Sequence, residues 1–345
     1  MYIIIKKNNI GDFNLSGLST WLWAAPSTSD GVSKGISSGE LIPMIVLAVL
    51  ILAAIIIFVH ALTEPYLLKV TTRKLYPAEN VEGFRRQERD SSASTAASAS
   101  TPASATYACS AGNPGLRLFF FSDLHAEICK IKPERVIAAI REANSASPLD
   151  AVVFGGDICN NYQVNDNGLS YLKHIADACV ELGIPFYGVT GNHDHKFDPS
   201  DRKLVFDCIE DRQIPFVSRA TGKNIVLCGV DDSGRHERVW YKVPSVPADA
   251  VSVAVIHNPD SILHFDEGTH VDYMLSGHFH AGQIKMPFRF EFIALRSDTL
   301  PQRNVIEGVF EHKGTTLFIS RGVGCNKLPL RFLATPEVSV VEIYA

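Results

Sequence analysis

Five short polar islands, each set at or just after the end of an apolar run, constrain this chain more than any other feature. They read Asp123-Leu124-His125, Gly156-Asp157, Thr190-Gly191-Asn192-His193-Asp194, His257-Asn258 and Gly277-His278-Phe279-His280. The runs before them are Leu116 to Phe121, Ala151 to Phe154, Pro185 to Val189, Val251 to Ile256 and Tyr273 to Leu275. Runs this short, rich in aromatic and β-branched residues, read as strands. Pro133 to Asn144 and Leu169 to Leu182 have helical periodicity, so the first islands fall in βαβα order. Asn224 to Val230, Thr315 to Ile319 and Val338 to Ile343 add further strands. The expectation is a mixed-sheet α/β domain of about 230 residues, within the size of a single domain. In such sheets ligand sites form beyond the carboxyl ends of strands, so islands far apart in sequence are predicted to converge.

Together the islands offer Asp123, His125, Asp157, Asn192, His257, His278 and His280 as donors. That set is oxygen and imidazole nitrogen with no thiolate. It suits a pair of divalent ions such as manganese, iron or zinc better than a structural zinc knot. The seven cysteines, Cys109, Cys129, Cys159, Cys179, Cys208, Cys228 and Cys325, include no C-x-x-C pair, and read as free thiols in a reducing compartment. A formal net charge of -5 gives no electrostatic footprint for nucleic acid.

At these residues the chain resembles the calcineurin-like metallophosphoesterase superfamily. The pattern D-x-H, G-D, G-N-H-[D/E], H, G-H-x-H is complete and in order between Leu116 and Tyr344. His257-Asn258-Pro259-Asp260, Gly277 through Ile284, Ser320 through Gly324 and Leu328 through Phe332 look like the membrane-associated subgroup that includes bacterial UDP-2,3-diacylglucosamine pyrophosphatase-type phosphodiesterases. The resemblance implies a four-layer αββα sandwich of two mixed sheets flanked by helices. It implies that Asp123, His125 and His280 hold a first metal, that Asn192, His257 and His278 hold a second, and that Asp157 bridges them. It further implies that His193 faces the scissile phosphate while Asp194 orients its imidazole. Arg321 and Arg331 are candidate substrate-phosphate ligands, with a structural ion pair as the alternative for each. The sequence departs from the subgroup at Phe279, where Thr is usual, and at Ala281, where Gly is usual; both bear on the shape of the pocket wall. His195, close behind Asp194, is a further residue that could line the cleft.

Ahead of this domain, every residue from Leu41 to Val59 is uncharged and nearly all are aliphatic. At ~1.5 Å per residue the run spans about 28 Å, close to the hydrocarbon thickness of a bilayer. One retained transmembrane helix over 41–62 is expected, with a cleaved signal peptide as the weaker alternative. Lys69, Arg73 and Lys74 follow the run where only Lys34 precedes it closely, which puts the following domain on the cytoplasmic side of an inner membrane. Residues 1–40 form a leader without assignable chemistry. Residues 63–115 read as a juxtamembrane segment and Ser/Ala-rich linker, and 116–345 as the metallophosphoesterase domain. The expected function is hydrolysis of a phosphodiester or pyrophosphate bond in a phosphorylated, lipid-linked substrate. UDP-2,3-diacylglucosamine is the specific candidate that the resemblance implies, alongside other phosphodiesters and cell-envelope polyprenyl phosphates. The alternative is a metal-binding, non-catalytic scaffold at the membrane.

Overall fold

The structure, a computed structural model, describes residues 38–79, 81–87, 112–160, 166–194, 205–231, 243–266 and 268–345. The strands are β1 (Lys69–Leu75), β2 (Arg85–Arg86), β3 (Leu116–Phe121), β4 (Ala151–Phe154), β5 (Phe186–Gly188), β6 (Asp207–Cys208) and β7 (Gln213–Val217). There follow β8 (Asn224–Val230), β9 (Val251–Ile256), β10 (Tyr273–Ser276), β11 (Gly308–His312), β12 (Thr315–Ile319) and β13 (Glu337–Ile343). The α-helices among the described residues are α1 (Ser38–Thr63), α2 (Pro133–Ala146), α3 (Asp166–Leu182) and α4 (Phe290–Leu295).

The strands form two mixed sheets, one ordered β1-β13-β3-β4-β5-β6 and the other β2-β11-β12-β10-β9-β8-β7. Within them β3, β4 and β5 run parallel, as do β8, β9, β10 and β12. Their carboxyl ends therefore carry the polar islands.

Strand β3 shows why the sheets stack. All six of its residues are buried, because successive side chains face opposite sides and both sides are covered. Leu116, Leu118 and Phe120 join Leu227, Val255, Leu275 and Phe318 in a core between the two sheets. Phe119 and Phe121 face the other way, onto Val136 and Ile140 of α2 and Leu172 and Ile175 of α3. A third core covers the outer face of the second sheet, where Met274, Leu317 and Ile319 meet Ile262, Phe292 and Leu300 from short helical segments. Each fully buried Leu or Phe contributes about 1.5–3 kcal/mol. Helices, sheet, sheet and helical segments make the expected four layers.

One expectation changes. Residues 63–115 were read as juxtamembrane segment and linker, yet residues 64–79 and 81–87 are built into the globular part. Strand β1 lies parallel to β13 along its whole length, and β2 pairs with β11. Arg73 and Thr71 of β1 both bond the buried Glu337 carboxylate of β13, at 3.1 Å and 2.5 Å. Five of the seven residues in K-V-T-T-R-K-L are polar, so the segment lacks an apolar strand signature; its partner is a buried acid more than 260 residues away. The Ser/Ala-rich stretch itself and the leader lie outside the described residues.

The chain divides into two compact units, Met1–Ala54 and Ile55–Ala345. In the first, the described residues are helical and those from Leu41 onward are exposed. Helix α1 is long and apolar enough to cross a membrane.

Candidate metal centre

Each predicted donor sits where a strand ends and the chain reverses sharply. Asp123, His125, Asp157, His278 and His280 all have positive φ, between 42° and 70°. A non-glycine residue in that region costs of the order of 1–3 kcal/mol, and such strain clusters where a site needs it. Here the reversal is held by backbone bonds between loops, Asp123 N–H to the Gly156 carbonyl and Leu124 N–H to the Asp157 carbonyl, both at 2.8 Å. Two glycines allow the loops to close up. A Cβ on Gly277 would overlap the Asp123 carboxylate, and one on Gly191 would overlap that of Asp157.

The donors gather into two adjoining clusters. In the first, the Nε2 atoms of His125 and His280 face each other at 3.0 Å, with Asp123 Oδ1 3.4 Å from His280 Nε2. In the second, His257 Nε2 lies 3.2 Å from Asp157 Oδ2 and 3.3 Å from His278 Nδ1. Asp157 Oδ2 is also 3.6 Å from His125 Nε2, so this one carboxylate oxygen stands between the clusters. Within each set of three, the donor atoms all lie within 4.8 Å of one another. Asn192 occupies the turn between Gly191 and His193.

Contacts behind the donors select the tautomers. His257 Nδ1 bonds the Gly155 carbonyl at 2.7 Å, which puts its proton there and leaves Nε2 to face the cluster. His278 is turned the other way. Its Nε2 meets Asp298 Oδ1 at 3.2 Å, leaving Nδ1 to face the cluster. Asp298 is gripped in turn by Arg296, and although burial works to raise the Asp298 carboxyl, the His278 hydrogen bond and the Arg296 charge hold it below the usual range. Asp298→Ala is expected to weaken metal affinity about 10–100-fold while leaving the fold intact, as read by competition against a chelating dye.

Burial strips these imidazoles of protons. It lowers His125 to about 3 and His278 to about 4, and holds His280 well below its ordinary value. Neutral imidazoles between two buried carboxylates are what a divalent cation requires, so the residues present fit a pair of such ions. Because the folded values are depressed, the neutral form persists as pH falls below the ordinary 6.5 and is lost only toward 4. Metal content after dialysis at pH 5.5 should therefore match that at pH 7.5. Half-loss near pH 6.5 would mean that protons compete as they do for exposed histidine.

His193 stands beside the first cluster, its ring at 88° to that of His125 with centroids 5.1 Å apart. Its backbone N–H bonds Asp157 Oδ1 and its Nδ1 meets the Asn160 carbonyl, each at 2.9 Å. This corrects the expectation for Asp194. Its two carboxylate oxygens accept the backbone N–H groups of Asp157, Ile158 and Gly191 at 2.8–2.9 Å, so Asp194 staples two loops, and the orienting acceptor at His193 Nδ1 is a backbone carbonyl. Burial and the neighbouring Asp157 push Asp194 up to about 7, which also makes it a weak partner for an imidazolium.

The arginines are corrected as well. Arg331 is fully buried, and its guanidinium donates to the carbonyls of Arg321, Gly322, Gly324 and Ala334, with Nη2 3.4 Å from His280 Nδ1. Its donors are spent on the loop that backs the centre. Arg321 Nε lies 2.7 Å from Glu307 Oε2, the structural ion pair that was its alternative. Phe279 and Ala281 are buried too, Phe279 packing against Phe292 at 6.2 Å, so neither shapes a pocket wall. His195 lies outside the described residues. Sequence reasoning missed Asp298, Arg296 and the Asn160 carbonyl. The first two sit in no motif, and a carbonyl has no sequence signature.

Known proteins resemble the chain over the region that carries these residues. The family model described as calcineurin-like phosphoesterase matches residues 116–282. A metallophosphoesterase of Bacillus subtilis, YkuE, is 30% identical over 244 residues, covering 67% of this chain and 80% of that protein. A second from the same organism, YkoQ, is 27% identical over 66% of this chain and 83% of its own length. Phosphodiesterase YaeI of Escherichia coli is 25% identical over 66% of this chain and 82% of its own length.

Proposed function

Because the chain belongs to the calcineurin-like phosphoesterase family and is a metal-dependent phosphoester hydrolase, we propose that it is anchored in a membrane by α1 and cleaves a phosphodiester or pyrophosphate bond in a lipid-linked substrate. Asp123, His125 and His280 would hold one divalent ion, and Asn192, His257 and His278 the other. Asp157 would bridge them. The observation that carries this reading is the single Asp157 oxygen set 3.6 Å from His125 and 3.2 Å from His257, between clusters otherwise made of imidazole and carboxylate. Manganese, iron and zinc all suit that set. Bound there, a pair of divalent ions supplies a nucleophile from water at neutral pH and neutralises charge on phosphoryl oxygens.

The protein's own part begins with His193. Its Nδ1 proton is held by the Asn160 carbonyl, so Nε2 is the ring atom that exchanges a proton, and the oxygen of the departing group is where one is needed. Asp194 keeps the Asp157 loop and the His193 loop in register. Burial of the donors excludes water from all but the open side, which strengthens every charge interaction at the phosphate. Tethering adds a local-concentration advantage for a substrate in the same bilayer. The Lys and Arg that follow the apolar run favour a catalytic domain on the cytoplasmic side. UDP-2,3-diacylglucosamine is the specific substrate we would try first.

The test uses the full chain in detergent micelles, stripped with chelator and assayed on bis-p-nitrophenyl phosphate. Return of turnover on adding Mn²⁺, Fe²⁺ or Zn²⁺ is expected; background rates with every metal would overturn the hydrolase reading. Incubation with membrane lipid precursors, followed by mass spectrometry of what disappears, then identifies the substrate.

A further inference from the structure

Apart from Val180 and Val217, every exposed large hydrophobic side chain described outside α1 falls in three segments, 66–70, 286–293 and 328–333. Segments 66–70 and 328–333 lie at the carboxyl end of α1, and 286–293 follows from residues that pair with Phe332 there. Residues 331–335 wrap its base: Arg331 N–H bonds the Ala61 carbonyl at 3.1 Å, Phe332 stacks edge-on against His60 at 5.6 Å, and Leu333 N–H bonds the Glu64 carboxylate at 2.7 Å. Residues 283–285 pair with Phe332 and lead directly into 286–293. Gln283 also bonds the Leu328 carbonyl, and segment 66–70 continues the chain out of the helix.

The middle segment is built at a cost that water does not repay. Phe288 is 95% exposed and has φ of 57°, with Arg289 beside it at 58°. A bulky aromatic residue in the left-handed region is a genuine outlier, and here the strain serves to hold an apolar ring outward. Helix α4 is split in the same sense, with Phe292 in the core and Phe290 and Ile293 turned out, at 56% and 68% exposure. No exposed acidic residue lies in the three segments: Glu291 is buried and accepts the Met286 N–H at 2.9 Å, while Lys69, Arg289 and Lys327 stand within or beside the patch. Exposed apolar side chains with Lys69, Arg289 and Lys327 within or beside them, in segments that adjoin the end of an apolar helix or pair with one that does, have the chemistry of a surface that sits among anionic lipid headgroups.

We propose that residues 286–293, with Leu328 and Leu333, form a second membrane contact that seats the globular body on the lipid–water interface. The inference rests on the reading of α1 as a membrane anchor. The consequence for the site follows from chain length. His280 and Met286 are six positions apart, and at most ~3.6 Å of reach per step puts the metal clusters within about 20 Å of the interface. The substrate this favours is an amphiphile whose phosphate lies at headgroup depth.

The test places a photoreactive benzoylphenylalanine at position 288, 293, 50 or 180 of the full chain. Each variant is reconstituted in vesicles of phosphatidylethanolamine and phosphatidylglycerol and illuminated, and adducts are read by mass spectrometry. Lipid adducts at 288 and 293 but not at 180, which is 80% exposed on α3, are expected. Adducts at 50 with none at 288 or 293 overturn the second contact and leave the anchor standing; no adduct at 50 overturns the anchor itself. A protein dimer at 288 in place of lipid overturns the proposal in favour of a second copy of the chain.

Discussion

Asp157→Ala is expected to empty both metal positions at once and to cut turnover by at least about 10⁴-fold, or roughly 5.5 kcal/mol of transition-state stabilisation. The reason is geometric. Asp157 Oδ2 lies within reach of ring nitrogens of both clusters, at 3.6 Å and 3.2 Å, and Oδ1 receives the His193 backbone N–H at 2.9 Å. Removing the side chain leaves that amide without its acceptor, a further cost of about 1–3 kcal/mol. Asp157→Asn separates the two effects, since it keeps a carbonyl oxygen for the amide while losing the charge shared between the cations. Metal per chain by inductively coupled plasma mass spectrometry, with turnover measured on the same samples, decides the matter. A variant that keeps both metals would show that the bridging carboxylate comes from elsewhere.

His193→Ala should behave oppositely in its metal content and similarly in its rate. Both ions stay, because His193 belongs to neither donor cluster, and kcat falls by about 10²–10⁴-fold, the usual contribution of a positioned general acid. Leaving-group dependence gives the sharper reading. A p-nitrophenolate departs without a proton, so the deficit should be small on nitrophenyl diesters and large on alkyl diesters. An equal deficit on both would assign His193 to binding the phosphate and not to proton transfer.

The polar islands were legible because each consists of residue types that are expensive to bury for any purpose but chemistry, placed where strands end. The β3, β4, β9 and β10 boundaries were legible for a related reason: strands covered on both faces are continuously apolar. Strand β1 was not, since its mostly polar side chains acquire meaning only against Glu337 on β13. The roles given to Asp194, Arg321 and Arg331 failed in the same way. A carboxylate and a guanidinium beside a phosphate site look alike in sequence whether they face the substrate or a row of backbone groups. Their real partners are amides, carbonyls and Glu307.

By itself, then, the sequence determined the class of fold, the family and the apolar character of the helix ahead of the domain, because these depend on composition, spacing and period along the chain. Tertiary structure alone decided which nitrogen of each histidine faces the clusters, that Asn160 and Asp298 hold two of those rings, and that exposed apolar side chains outside α1 concentrate in segments 66–70, 286–293 and 328–333. These depend on the directions of side chains and of backbone N–H and C=O groups brought together from distant loops. Such directions are set by strained turns and packing, which no local pattern encodes.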